Sequence, residues 1–383
     1  MKPKVMILTQ NPKGGAGAER VVANLTKALA HRFDFQLVYP KVDLDTNHDL
    51  NYVGEHIELD LDWKSKGKSI LGKLQRYRKL MRAIKQILDR EQPDLVMSNL
   101  SMDWHQLLIL LKTFGGIQQK VVLRFGNPVS PALKGRSGIG KAFIRSIANR
   151  VDHVIANSDG TRGDVIEKLG IREHLITRIY NPLDLDDIRR KAKMPVETPI
   201  FQTGKPIIIN VGRLDRQKNQ GLLLRAFAKV YEPYDAQLAL VGTGKKEQEF
   251  KALVKELELE DRVHFLGWQD NPYRFVSQST CFALSSAWEG FGNVVVEALT
   301  CECPVITTDA LGGPAEILKQ GEFGLVVTTN AVDDYARQLE TYLQNPALLA
   351  KMKAQSGERA KDFGLDRIGQ QYGDLLARVI QSA

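Results

Sequence analysis

The chain has 383 residues, 43% of them hydrophobic and 26% charged, and 53 Lys and Arg against 45 Asp and Glu give a formal net charge of +8. The length favours two domains, and no apolar run approaches the roughly 18–20 residues of a membrane span. The basic balance favours polyanionic partners, but no zinc-finger spacing, RNA-recognition aromatic signature or basic tail points to nucleic acid.

Strand-like and helix-like stretches alternate along the chain. "KVMILTQ" reads as a buried first strand; no A-x-A-like cleavage site follows it, so it is not read as a signal peptide and a cytoplasmic location is expected. A helical pattern from Ala18 to Ala30 leads to "FQLVYP", then come a helix-like stretch from Ile70 to Leu88 and "DLVMSN". An apolar helix near His105 to Thr113, "KVVLRF", a helical segment from Lys141 to Asn149 and "HVIANS" follow. After Pro182 the rhythm restarts with "PIIINVGRL", a helix from Gly221 to Val230, "AQLALVG", a helix from Lys245 to Leu257 and "VHFLG". "CFALSS", a helix from Val294 to Thr300, "PVITTD" and "GLVVT" complete it. Strand alternating with helix predicts parallel sheets covered on both faces, and the repeated rhythm predicts two doubly wound domains. Between them, "NPLDLDDIRRKAKMPVETPIFQTGKP" lacks apolar periodicity and holds four prolines, so it reads as the linker. A cleft between domains is a preferred place for a ligand.

Gly14, Gly15 and Gly17 sit between the first strand and the first helix. Glycine lets the backbone approach a ligand closely, and the helix N-terminus offers free N–H groups, which together suit phosphate. A dinucleotide fingerprint needs G-x-G-x-x-G and a later acid; here the third position is Arg20 and the second strand ends in Tyr39-Pro40, against nicotinamide binding. "GRSGIGKA", Gly135 to Ala142, has Walker spacing, but Ala142 stands where a magnesium-holding hydroxyl belongs, and the stretch reads as a loop before a helix. The "DLD" triplets at Asp43, Asp60 and Asp184 sit beside turn or linker signals and read as solvated acids. Cys281, Cys301 and Cys303 are an odd number without a neighbouring histidine, so they read as small buried hydrophobes rather than a disulfide framework or a zinc site.

"SSAWEGFGNVVVEALTCECPVITTDALGGPAEIL" carries Glu289 and Glu297 eight positions apart. "GFGN" turns the chain and "VVVEAL" begins a helix, so Glu297 falls in the first turn or just beyond it. The free N–H groups of that turn point into the loop holding Glu289. Two carboxylates accept from sugar or ribose hydroxyls while a helix N-terminus attracts phosphate. One ligand containing a sugar, phosphates and a ribose satisfies the whole set.

This segment resembles the E-x7-E motif of retaining glycosyltransferase family four, whose GT-B fold is two facing Rossmann-like domains. Other pieces follow that family's order: "GGAGAERVV" resembles its N-terminal glycine loop, and "VDHVIANSDG" with "IYNPLD" the end of its first domain. "NVGRLDRQKNQGLLLRAF" resembles its basic diphosphate-binding segment and "HFLGWQDNPY" its base-side loop. The resemblance implies an α/β protein of two doubly wound domains with an interdomain cleft. The acceptor-binding domain would span 1–185, joined by a C-terminal helix at 366–383, and the nucleotide-sugar-binding domain 186–365. As catalytic residues, Glu289 would contact the donor sugar's hydroxyls, and Arg213 and Lys218 would neutralise the diphosphate leaving group. Glu297 would bind the ribose, Gly15 and Gly17 would face the diphosphate, and Gly290, Phe291, Gly292, Asn293 and Val294 would hold phosphate or sugar. Two fixed cations stabilise the charge of the departing diphosphate most in the transition state, so no metal is required. Taken alone, Arg213 and Lys218 would read equally well as a solvated surface pair. Gly312 and Gly313 resemble the family's loop after the next strand, or are plain turn glycines.

The chain also departs from that pattern. Many members carry a histidine after the strand equivalent to "KVVLRFGNP", where this chain has Gly126 or Asn127. His105 near another strand end is a candidate substitute, or else a core-edge or helix-surface histidine. The usual double glycine becomes Ala16-Gly17, and Glu302 stands where a small glycine often caps the helix before "PVI".

From Trp63 to Leu88 the chain holds nine Lys or Arg and no acid, with Ile70, Leu74, Tyr77, Met81, Ile84 and Leu88 at helical spacing. The stretch reads as a crossover helix burying that stripe and also as a basic surface for anionic lipid, and the two are compatible. The expected enzyme moves a hexose or N-acetylhexosamine from a nucleotide-diphosphate sugar, a UDP-sugar favoured, to a glycan or lipid-linked acceptor, with peripheral contact on the inner face of the cell membrane. A sugar-nucleotide epimerase of the same fold and a non-catalytic nucleotide-sugar-binding protein are the other readings.

Overall fold

A computed structural model of the chain describes residues 1–10, 17–40, 52–59, 70–99, 102–133 and 138–382. It divides into two compact units, Met1–Pro182 with Leu365–Ala383, and Leu183–Gly364.

In the first unit the described elements begin with β1 (Lys4–Leu8), α1 (Gly17–Leu29), β2 (Asp34–Pro40), β3 (Glu55–Leu59) and α2 (Ile70–Glu91). They continue through β4 (Leu95–Asn99), α3 (Met102–Phe114), β5 (Lys120–Phe125), the single turn α4 (Ser130–Leu133) and α5 (Gly138–Ile147). β6 (His153–Ala156), α6 (Asp159–Leu169) and β7 (Ile176–Arg178) close the run. Among the described residues these strands form one parallel sheet in the order β3-β2-β1-β4-β5-β6-β7. Side chains alternate across it. Val5 and Ile7 of β1 pack with α1, whereas Met6 and Leu8 pack into the layer that holds α2 and α3. Both faces are therefore covered, and all five residues of β4 are buried.

The second unit opens with α7 (Leu185–Ala192), β8 (Ile207–Val211), α8 (Gln220–Phe227), β9 (Gln237–Val241) and α9 (Glu247–Glu256). β10 (Val263–Gly267), α10 (Tyr273–Ser277), β11 (Cys281–Leu284), α11 (Asn293–Thr300) and β12 (Val305–Thr308) come next. α12 (Pro314–Ile317), β13 (Leu325–Val327), α13 (Val332–Gln344) and α14 (Pro346–Ala360) end it. Its described strands form a parallel sheet ordered β10-β9-β8-β11-β12-β13. The last helix, α15 (Leu365–Gln381), returns to the first unit, where Ile368, Tyr372, Leu375 and Leu376 bury against α1.

Three expectations change in detail. The stretch expected as a linker contains α7, whose start is capped by Asp184: its Oδ1 accepts from the Asp187 N–H at 3.1 Å. Asp184 is thus a cap rather than a merely solvated acid, while Asp43 and Asp60 lie outside the described residues. On α2, Ile84 and Leu88 are fully buried as the stripe predicts, but Leu80 joins them where Met81 is only partly covered; the side chains of Ile70 and Leu74 lie outside the described residues. The three cysteines are free and buried, and burial pushes all three thiols upward. Among the described residues no helix is long and apolar enough to cross a membrane.

Candidate active site

In open parallel sheets, ligands bind outside the C-terminal ends of the strands where the strand order reverses. In the second unit that point lies between β8 and β11. The loop after β8 carries Arg213 and Lys218. It is shaped by its own polar groups: the Lys218 N–H donates to Asp215 Oδ1 at 3.0 Å and Gln220 Nε2 to the Arg213 carbonyl at 2.9 Å. The loop after β11 carries Glu289 and is tied to the first one. The Ala287 N–H donates to the Gln217 carbonyl at 2.8 Å, Gln217 Nε2 to the Trp288 carbonyl at 3.1 Å, and Ser285 Oγ to the Lys218 carbonyl at 2.9 Å.

This tying brings two of the expected residues into direct contact. Lys218 Nζ lies 2.5 Å from Glu289 Oε1, and their side chains are only 14% and 7% exposed. Ser286 Oγ donates to the same oxygen at 2.6 Å. Glu289 Oε1 is thus occupied by protein donors, while Oε2 accepts no hydrogen bond from the described residues. An ammonium has three N–H donors, so Lys218 keeps two beyond the one it spends on Glu289. Arg213 sits differently. Its side chain is 69% exposed, with Nη2 3.2 Å from Asp215 Oδ2 and 3.4 Å from Gln217 Oε1.

The Glu289 loop is held from β12 and the segment after it. Thr308 Oγ1 donates to the Ser286 carbonyl at 2.6 Å and the Glu289 N–H to the Leu311 carbonyl at 3.0 Å. Gly312 has φ +132°, and a Cβ there would stand 1.9 Å from the Glu289 carbonyl oxygen, so it is more than a turn glycine. Gly290, Phe291 and Gly292 are buried, and the Phe291 ring meets Phe363 edge-on at 5.5 Å. Gly292, in the left-handed region at φ +90°, starts α11 without a side-chain cap; the Val295 N–H donates to the Gly292 carbonyl at 2.8 Å, and the turn lies at the positive end of the helix. Asn293 and Val294 form that turn and are half-buried; Glu297, one turn on, is 6% exposed.

In the first unit the order reverses between β1 and β4. Gly17 opens α1 after β1, and Gly15 lies outside the described residues. Beyond β4, His105 is 1% exposed, with Nδ1 2.6 Å from Ser98 Oγ and its ring 4.2 Å from that of Phe125. Burial first, and Arg124 second, push it down to about 3, so it is a neutral core histidine rather than a group open to a ligand. Gly126 is buried with its carbonyl accepting from Asn157 Nδ2 at 3.0 Å, and Asn127 is exposed. Arg124 itself went unremarked in the sequence. It is 1% exposed and donates to Tyr372 Oη at 2.9 Å, Asn99 Oδ1 at 2.6 Å and Asn181 Oδ1 at 2.5 Å. The signal was an arginine inside the apolar run "KVVLRF". Ser286 was equally unremarked, one of many serines near a strand end. Among the described residues no three His, Cys, Asp or Glu side chains group together as a metal site would require.

Comparison with known proteins identifies the family. The family model described as Glycosyltransferase Family 4 matches residues 15–187, and that described as Glycosyl transferases group 1 matches residues 196–362. A Campylobacter jejuni protein named N-acetylgalactosamine-N,N'-diacetylbacillosaminyl-diphospho-undecaprenol 4-alpha-N-acetylgalactosaminyltransferase is 31% identical over 360 residues, 91% of this chain and 93% of its own length. The lipopolysaccharide core biosynthesis glycosyltransferase LpsE of Rhizobium meliloti is 30% identical over 288 residues, 73% of this chain and 82% of its own. Among solved structures, Anabaena HepE in complex with UDP and glucose matches with a TM-score of 0.77 at 23% identity, over 98% of this chain and 100% of that one. Sucrose-phosphate synthase from Thermosynechococcus elongatus matches with a TM-score of 0.81 at 20% identity, over the whole of both chains. The paired Rossmann-like sheets are those of the GT-B fold, and with a relative this similar along nearly its whole length the chain belongs to glycosyltransferase family 4.

Proposed function

We propose that this glycosyltransferase is a retaining, metal-independent enzyme that moves a hexose or N-acetylhexosamine from a UDP-sugar to a glycan or lipid-linked acceptor. In this reading the second unit binds the donor and the first unit the acceptor. The observation that carries it is the Lys218–Glu289–Ser286 contact in the loop that leads into the N-terminus of α11. Support for the donor comes from HepE, solved with UDP and glucose, and for the acceptor from relatives named for diphospho-undecaprenol and lipopolysaccharide substrates.

The chemistry follows from the roles these groups can take. Glu289 Oε2 accepts from a hydroxyl of the donor sugar, and Glu297 from the ribose. As the bond from the anomeric carbon to the diphosphate breaks, negative charge builds on the bridging oxygen. The two spare N–H groups of Lys218, with Arg213, stabilise it, and the first-turn N–H groups of α11 add a fixed partial positive charge. In a retaining front-face reaction the leaving phosphate takes the acceptor proton, so neither an imidazole nor a metal is called for.

Proton NMR of the protein with UDP-, GDP- and ADP-sugars, repeated with Glu297→Ala, tests it. Slow hydrolysis of one donor, lost in the variant, is the expected result, and the anomeric configuration of the transferred sugar reads retention directly. Conversion of one sugar nucleotide into another without acceptor would replace the proposal with an epimerase. Intact donors together with no nucleotide-induced thermal shift would remove the nucleotide-sugar site altogether.

A further inference from the structure

We infer that the outer surface of α2, α3 and α5 in the first unit is a docking face for an anionic lipid bilayer, with Phe114 and Phe143 as its inserted anchor; this rests on the lipid-linked acceptor proposed above and assigns the surface that meets the lipid. Phe114 ends α3 and Phe143 lies on α5. They are 65% and 47% exposed, yet their rings lie parallel, 6.5 Å apart with 3° between planes. Among the described residues of this unit they are the two exposed Phe, Tyr or Trp side chains, and they stack on one another. An isolated exposed Phe is ordinary, whereas two stacked on neighbouring helices form one apolar projection of the kind that enters the headgroup boundary.

Charge selects the partner. Residues 104–151 contain eight Lys or Arg and no acid, as 63–88 contain nine and none. Some are accounted for inside the fold: Lys112 and Lys120 pair with Asp152, and Arg124 is buried. Arg78, Lys79 and Arg82 on α2, with Arg145 and Arg150 at α5 and just beyond it, are exposed and have no carboxylate partner among the described residues. α2 packs on α3 and α3 on α5, so these cations and the Phe pair share the outside of one helical layer. The opposite layer differs. There α1 and α15 mix signs: α15 carries Asp366 and Asp374 as well as Arg378, and Arg32, just past α1, pairs with Asp374 at 2.7 Å. Uncompensated cations around an aromatic projection match a surface of anionic headgroups, whereas two copies meeting through this face would set like charges together.

The full-length protein is sedimented with vesicles of phosphatidylcholine, alone or mixed with phosphatidylglycerol. Binding is expected to the anionic vesicles only, falling about tenfold or more between low salt and about 0.5 M salt. Phe114→Ser/Phe143→Ser and Arg78→Glu/Arg82→Glu should each weaken it by about tenfold or more. Both variants alter exposed side chains and should keep the wild-type thermal midpoint and its shift with UDP. No binding to anionic vesicles at low salt, or a Phe double variant that binds like wild type, would overturn the inference. So would a wild-type dimer on size exclusion that the Phe double variant makes monomeric. Vesicle binding without any UDP response would instead fault the donor assignment and leave the docking face standing.

Discussion

Lys218→Met keeps the reach of the side chain and removes its charge, leaving the Glu289 carboxylate with only the Ser286 hydroxyl at Oε1. Both partners are largely out of water, 14% and 7% exposed, so solvent screens the pair weakly. Removing one side of a fully buried pair destabilises by about 3–5 kcal/mol. Here Glu289 retains one hydrogen bond and Lys218 an edge in water, which brings the expectation to about 2–3 kcal/mol. Glu289→Gln is milder, at about 1–2 kcal/mol, because the amide oxygen still accepts from Ser286 and the lysine regains some hydration. The double variant buries neither charge, so its loss should be about 1–2 kcal/mol smaller than the sum of the two single losses. Guanidinium unfolding of the four proteins, followed by the fluorescence of Trp268 and Trp288 in the second unit, measures this coupling. A coupling below about 0.5 kcal/mol would mean that the two side chains do not form a pair in solution, and the assignment of Oε1 to the protein and Oε2 to the donor would go with it.

Two glycines should respond in opposite directions. Gly312→Ala forces a Cβ to 1.9 Å from the Glu289 carbonyl at φ +132°, and a loss of several kcal/mol or failure to fold the second unit is expected in thermal unfolding. Gly221→Ala on α8 meets nothing closer than 3.7 Å and should stabilise by about 0.5–1 kcal/mol. Tyr372→Phe leaves the Arg124 Nε–H without its acceptor and should destabilise the first unit by about 1–3 kcal/mol, read as a lower denaturation midpoint. Burial, with Arg124, holds His105 near 3, and burial, with Arg378, holds His153 near 4, both below the ordinary 6.5. Below about pH 6.5 the unfolded chain binds protons that the folded one refuses, so stability falls as pH drops from there towards 4 and then 3. In His105→Gln that fall should be shallower by about one proton, and an unchanged slope of denaturation midpoint against pH would count against a neutral buried His105.

How far the fold could be read ahead depended on how each segment buries its side chains. β4 and β9 are buried at every position and announce themselves through the short apolar runs Leu95 to Met97 and Leu238 to Val241. β3, "EHIEL", sits at the sheet edge with only Leu59 buried, so it offers no run and went unread. α7 buries just Leu185 and Ile188, too few for a helical period to emerge, although Asp184 three residues before Asp187 was a visible cap. The start of α11 at Asn293 was legible because "GFGN" must turn the chain there. The contact of Lys218 with Glu289 was not. It joins residues 71 positions apart through loops whose positions depend on which strands lie side by side. Ser286 was hidden for the same reason, since its hydroxyl matters only once that loop is folded over it.

The path of the chain also dictates an order of assembly during synthesis. The second unit is one continuous stretch, Leu183–Gly364, and can close as soon as it leaves the ribosome. The first unit, although made earlier, lacks a wall until α15 arrives: Ile368, Tyr372, Leu375 and Leu376 cover α1, and Arg124 has no Tyr372 hydroxyl before then. Its apolar flank stays open while some two hundred further residues are translated, an interval on the order of ten seconds or more in which a chaperone has a ready target. A stop codon just after Gly364 would therefore spare the complete second unit and cripple the half of the protein that was made first.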